Sequence, residues 1–236
     1  SDVLKRNRGR RGLDILKKGG NAVDAAVATA ASLTVLEPTS NGLGSDGFAM
    51  VWKDGELHGL NSSGPSPSSI SIDDLQDEDE MPKYGWPAVT VPGVTGGWAE
   101  LWKRFGELSF EEVLRPAIKH AEEGFPVSPI VGKYWNAAYR GYSRLEDDKF
   151  KHWFDTFAPE GRAPKVGEIF RSKDHAETLK KIAETEAESF YRGELGDKIV
   201  EFSKDTGGYL SKEDLESFSP EWVEPLSVNY RGYDVW

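Results

Sequence analysis

Apolar and polar positions divide the chain into recognisable elements. Residues 22–36 are almost all Ala, Val, Leu and Thr, apolar nearly all round, the pattern of a central helix between layers. Asn21 stands at its N-cap, where a side-chain amide oxygen can accept from the first turn, and Pro38 stops it. Upstream, LDILKK ends at Gly19 and Gly20, the usual C-terminal stop of a short helix. Downstream, FAMVW and LHGLN flank Lys53-Asp54-Gly55-Glu56, and Asp-Gly between two apolar runs signals a β-hairpin. AVTVPG reads as a short strand ending at Pro92-Gly93. Trp98, Leu101, Trp102 and Phe105 then recur at i, i+3, i+4 and i+7, an amphipathic helix. A capping box, Ser109 to Glu112, opens the next helix. Phe110, Val113, Leu114, Ala117, Ile118 and Ala121 form its apolar face, Gly124 ends it, and Pro116 predicts a kink inside it.

The second half is less periodic. Residues 132–165 are polar and aromatic and predict loops and short helices. DHAETLKKIAETEAESFY and ELGDKIVEFSKDTGG predict two helices, SKEDLESF a short capped one, and WVEPLSVNYRGYDVW strand material. No repeat or low-complexity linker divides the chain, so residues 1–236 predict one α/β (α+β) unit without an internal boundary.

Charge and composition narrow the partners. A net charge of −11 repels phosphate backbones and excludes nucleic acid as a natural partner. No apolar run reaches 18 residues, so no membrane span is predicted. The absence of cysteine removes disulfides, thiolate nucleophiles and cysteine-ligated zinc. The chain opens at Ser1 and not at methionine, compatible with removal of a leader. The compartment stays open between cytoplasmic and secreted or periplasmic. The basic start, SDVLKRNRGRRG, reads as a solvated lead-in to a helix.

Several patterns resemble sites and fail on context. Gly42, Gly44 and Gly47 spell G-x-G-x-x-G, but a helix precedes them and a strand follows, the reverse of a dinucleotide loop. With Asn41 they read as a tight turn that holds backbone and does not touch substrate. Six carboxylates fall within residues 73–80 without EF-hand spacing or a turn glycine, and read as a solvated face. The histidines at 58, 120, 152 and 175 match no zinc pattern, and no G-x-S-x-G elbow, S-x-x-K or Walker loop occurs. The uncharged loop GLNSSGPSP, residues 59–67, follows the predicted hairpin, a place where rigid strands often present functional groups.

The order of the motifs carries a resemblance. GLDILKKGGNAVDAAVATAASLTVLEPTSNGLGSDGF resembles the N-terminal signature of the γ-glutamyltranspeptidase (γ-glutamyltransferase, glutathione hydrolase) family. AVTVPGVTGGWAELWKRFG, VLRPAIKHAEEGFPVSP, FYRGELGDKIV, GGYLSKEDLESF and WVEPLSVNYRGYDV are similar to its later blocks, in order. The resemblance implies the large-subunit portion of an N-terminal nucleophile hydrolase, an αββα sandwich. A small subunit, cut from the same precursor, would complete the sandwich, cover the exposed strand edges and carry a threonine nucleophile. Catalytic residues are then expected outside this chain, and neither cofactor nor metal is implied. Substrates would be small γ-glutamyl or other amides.

The family holds the substrate's carboxylate with an arginine in the loop that follows the hairpin. Here Ser62, Ser63 and Gly64 occupy that stretch and are the candidate substrate-binding residues. One register places Ser63 at the arginine's position; a shift of two places Pro65 there. No arginine occurs between residues 12 and 103. An arginine–carboxylate pair is bidentate and charge-assisted, so its loss disfavours a free γ-glutamyl substrate. Two competing readings follow: a related acylase for glutaryl-like or uncharged acyl groups, and a family member without catalysis that serves as a binding or structural subunit.

Overall fold

Asn21 starts the central helix in both directions at once. In the computed structural model, which describes residues 12–76 and 79–236, helix α1 covers residues 12–17 and α2 covers Ala22–Leu36. The Asn21 side chain accepts from Val23 N at 2.9 Å and Asp24 N at 3.0 Å, while the Asp24 carboxylate accepts from Asn21 N at 3.0 Å. This reciprocal box satisfies donors that a helix start otherwise leaves open. Asp24 is fully buried and also accepts from Glu107 N at 3.1 Å and Leu108 N at 3.3 Å. The start of α2 is thereby tied to the turn between α3 (Val94–Phe105) and α4 (Phe110–Glu123). The basic segment, residues 1–11, and residues 77 and 78 of the acidic run lie outside the described residues.

The helices stack as a layer: α2 packs on α4, and α4 on α7 (Lys173–Glu184). Val27, Ala31, Val113, Ala117, Leu179 and Ile182 are almost wholly buried where they meet. Beside this layer lies an antiparallel sheet of β1 (Gly47–Lys53), β2 (Glu56–Ser62) and β5 (Glu221–Val223), with β2 in the middle. Register runs from Gly47 opposite Ser62 to Lys53 opposite Glu56. The two-residue turn has φ of 53° at Asp54 and 87° at Gly55, the doubly left-handed turn that suits a hairpin's twist. Strand alternation sends Leu60 and His58 toward α3, where His58 meets the Phe105 ring at 5.3 Å. Phe48, Met50 and Trp52 stand on the opposite face, 73%, 58% and 69% exposed. That face of the sheet has no covering layer among the described residues.

Three expectations from sequence are corrected. AVTVPG is not a strand: after a 3₁₀ turn at Trp86–Ala88 the backbone is extended but joins no ladder. Its bonds are isolated ones, Val91 N to Pro65 O at 2.9 Å and Gly93 N to Ser45 O at 3.1 Å, and Pro92 has no donor to extend them. Residues 132–165 hold the short helices expected, at 148–157, but also most of a full-length one, because α5 spans Pro129–Tyr142. Ser128 caps it, Pro129 takes the first turn, and Val131, Trp135, Tyr139 and Tyr142 mark the face it packs with. The helix expected over residues 174–191 is two. α7 ends at Glu184, Glu186 and Ala187 take φ of 51° and 70°, and a separate helix, α8 (Glu188–Arg192), follows. By contrast α4 continues unbroken past Pro116, held between α2 and α7.

α6 (Lys151–Phe157), α9 (Glu194–Asp205) and α10 (Lys212–Ser217) complete the helices. β3 (Phe125–Pro126) pairs with β4 (Ile169–Phe170). β6 (Val228–Tyr230) pairs with β7 (Tyr233–Val235) in a second tight hairpin. Of these remaining elements, α9, α10 and the C-terminal strands fall where the sequence predicts them, while the short pair β3–β4 carries no signal in it.

Candidate functional site

Four segments meet at the end of the sheet away from the hairpin turn: the glycine turn at 41–47, the end of β2 with the loop after it (61–65), the extended segment at 91–93 running into the first turn of α3, and Tyr191 on α8. Each is held by the others. Ser45 closes the glycine turn by accepting Gly42 N on its hydroxyl at 3.1 Å. Its carbonyl then accepts from Gly93 N at 3.1 Å and Val94 N at 2.8 Å. α3 has no side-chain cap of its own at Gly93, so this carbonyl serves one of its open donors.

Tyr191 serves another. Its hydroxyl accepts from Gly96 N at 3.0 Å, donates to Pro92 O at 2.8 Å and lies 2.9 Å from the Thr95 hydroxyl. One donor and two acceptor positions are thus all used. Burial pushes this phenol up to about 12.

The loop itself crosses the 91–93 segment at backbone contact. A Cβ on Gly64 would lie 1.7 Å from Val91 O, and one on Gly93 would lie 2.0 Å from Ser62 O. Only glycine permits that approach. Asn61 turns the chain by accepting Ser63 N at 3.0 Å. Gly64 N donates to the Asp46 carboxylate at 3.2 Å.

The three candidate residues therefore have different surroundings. Ser62 is buried, and its hydroxyl donates to Gly93 O at 2.7 Å. Ser62 also lines the cavity described below, whereas Ser63 and Gly64 are half-buried and Pro65 is exposed without lining it. Asn41, Gly42 and Gly44 form the turn expected of them, with Asn41 reaching back to Glu37 O at 3.4 Å. Beneath turn and loop lies a cavity of about 370 Å³, walled by Val27, Leu33, Leu60, Trp98 and Leu101, with Ser45 and Asp46 among its polar lining.

No lysine or arginine among the described residues reaches the loop. Arg104 is engaged at the other end of β2, 3.1 Å from His58 Nδ1 and over the Trp222 ring at 4.2 Å. Among the described residues no group of three potential metal ligands gathers. Sequence reading missed Asp46 and Tyr191. Asp46 looked like one more polar residue of a turn. Tyr191 acts on residues 95 to 99 positions away, and no local pattern announces that.

The geometry can be set beside known proteins. The family model for γ-glutamyltranspeptidase matches residues 10–236. The glutathione hydrolase-like YwrD proenzyme of Bacillus subtilis is 36% identical over 94% of this chain, which covers 42% of that protein. Among solved structures, cephalosporin acylase from Bacillus halodurans superposes with a TM-score of 0.93 at 58% identity, over 96% of this chain and 43% of that one. γ-Glutamyltranspeptidase from Pseudomonas nitroreducens gives 0.86 at 32% identity, over 97% of this chain and 67% of that one. The chain spans less than half the length of the curated relatives it matches. On the match from residue 10 to 236, this chain belongs to the γ-glutamyltranspeptidase family.

Proposed function

We propose that this chain is the large-subunit portion of an N-terminal nucleophile amidohydrolase. A small subunit from the same precursor would cover the open sheet face and bring the threonine that attacks an amide carbonyl. An acyl-enzyme forms, and water or an amine resolves it. The observation that carries this reading is a half-finished sandwich in a chain of this family: helices cover one face of the sheet, and Phe48, Met50 and Trp52 are bare on the other. The proenzyme names of the relatives support a processed, two-part protein.

The loop bears on the substrate. Ser63, Gly64 and Pro65 stand in it and offer no cation, so the site is poorly suited to a free γ-glutamyl carboxylate. An acyl amide without that group fits better, and the similarity to a cephalosporin acylase supports this choice. The test uses the complete protein. Intact mass should show two chains, with threonine opening the second. Replacing that threonine with alanine should abolish both cleavage and turnover of acyl anilides. A single uncut chain with undiminished turnover would overturn the mechanism. Uncut chain without turnover would favour the binding-subunit role.

A further inference from the structure

We propose that Asp46 sets acyl specificity in this protein, opposing acyl chains that end in a carboxylate and admitting those that end uncharged or cationic. The inference rests on the acyl-transfer reading above and narrows its substrate. Asp46 stands at the end of the glycine turn, exposed, with Gly64 N donating to Oδ1 at 3.2 Å. It is part of the cavity lining, among walls that are otherwise mostly apolar. No described lysine, arginine or histidine pairs with it. Its charge is therefore the local formal charge that a group entering between loop and turn would meet.

Position makes that charge effective. The turn beneath it is closed by Ser45, whose carbonyl is anchored on Gly93 and Val94, so the carboxylate is presented from a fixed backbone. Apolar walls lower the local dielectric and strengthen interactions with an entering charge. Allowing for solvent at an exposed carboxylate, a unit charge about 6 Å away is opposed or favoured by roughly five- to tenfold.

The alternative role for Asp46 is purely local, as acceptor for the Gly64 N–H. Asparagine keeps an acceptor oxygen at that place and removes the charge, so it separates the two roles. The complete processed protein is assayed on three anilides of matched chain length: glutaryl, pentanoyl and 5-aminopentanoyl. Asp46→Asn should raise the glutaryl-to-pentanoyl ratio of kcat/KM about five- to tenfold and lower the 5-aminopentanoyl-to-pentanoyl ratio. Glu213→Gln, an exposed carboxylate on α10, should move neither ratio. If both ratios stay within twofold in Asp46→Asn, the proposal is wrong while the acyl-transfer reading stands. If the unsubstituted protein turns over none of the anilides, the acyl-transfer reading fails, and the proposal with it.

Should Asp46→Asn not mature, Asp46→Ser gives the same comparison. The unsubstituted protein gives another through competition: 5-aminopentanamide should inhibit more strongly than glutaramate. The reverse order would overturn the proposal.

Discussion

Replacing Tyr191 by phenylalanine removes one oxygen and tests how the site segments are held together. The ring stays: Tyr191 is 4% exposed and packs against Phe218 at 5.2 Å and Phe190 at 5.3 Å. The loss is confined to the hydroxyl, which serves Gly96 N, Thr95 Oγ1 and Pro92 O. Two of those partners are buried groups on α3, and Thr95 is wholly inaccessible. An orphaned buried polar group costs about 1–3 kcal/mol. Thr95 can turn its hydroxyl toward another acceptor, so the net loss is about 2–4 kcal/mol and not the sum of all three. Equilibrium urea unfolding of the complete protein at pH 8, parent against Tyr191→Phe, reads this directly. The pH dependence adds a second check. The folded phenol titrates at about 12, above its ordinary value of 10. Its contribution is therefore whole below pH 10 and is lost as pH rises toward 12, by about 2–3 kcal/mol. The gap between parent and variant should narrow over that window. A loss below about 1 kcal/mol at pH 8, or a gap that is constant up to pH 12, would refute the role assigned to the hydroxyl.

Three further outcomes are expected. Gly64→Ala drives a Cβ to 1.7 Å from Val91 O, so the complete protein should lose about 3 kcal/mol or more, read as a drop in Tm of about 6 °C or more. His175 is held down to about 4 by burial beside Thr34, so the folded state keeps the ring neutral while the unfolded chain takes a proton near 6.5. Stability should be complete above pH 6.5 and fall by about 2–3 kcal/mol on acidification to pH 4, and His175→Gln should flatten this slope in urea titrations. Placing an arginine in the loop, as Ser63→Arg or Pro65→Arg, should raise kcat/KM on a γ-glutamyl anilide roughly tenfold in the register that faces the substrate. No gain from either substitution would remove the loop from the carboxylate site.

Sequence revealed the parts of the fold that local physics decides. Asn21, Ser109 and Ser211 cap where their spacing to Asp24, Glu112 and Asp214 requires, and Asp54-Gly55 turns the hairpin. These depend on neighbours within four residues. α5 escaped notice because the packed face of Val131, Trp135, Tyr139 and Tyr142 is blurred by Ile130, Tyr134, Ala137 and Ala138 outside it and by Gly132, Lys133 and Asn136 between. The break between α7 and α8 carries no glycine or proline. Glu186 and Ala187 adopt left-handed backbone because Ala187 N bonds to Ile182 O at 2.9 Å and the alanine methyl is buried, both tertiary outcomes. The candidate site was legible as a place and not as a structure. Loop 59–67 was marked by its position after the hairpin and by the family resemblance. Its crossing with 91–93 joins residues about thirty apart, and Tyr191 arrives from a hundred further on, distances over which periodicity is silent.

The crossing of Gly64 with Val91 and of Gly93 with Ser62 separates two things that usually change together. The path of the loop is set by backbone against backbone, and the one side-chain hydrogen bond at the crossing, from the buried Ser62 hydroxyl to Gly93 O, points inward. The side chains of Ser63 and Pro65 lie just beside the crossing and take no part in it. Their chemistry can be exchanged, from hydroxyl or ring to a cation, while the carbonyls and amides around them keep their places. A chain built on such a joint can change the chemistry its loop presents through single substitutions, without first surrendering the backbone geometry that presents it.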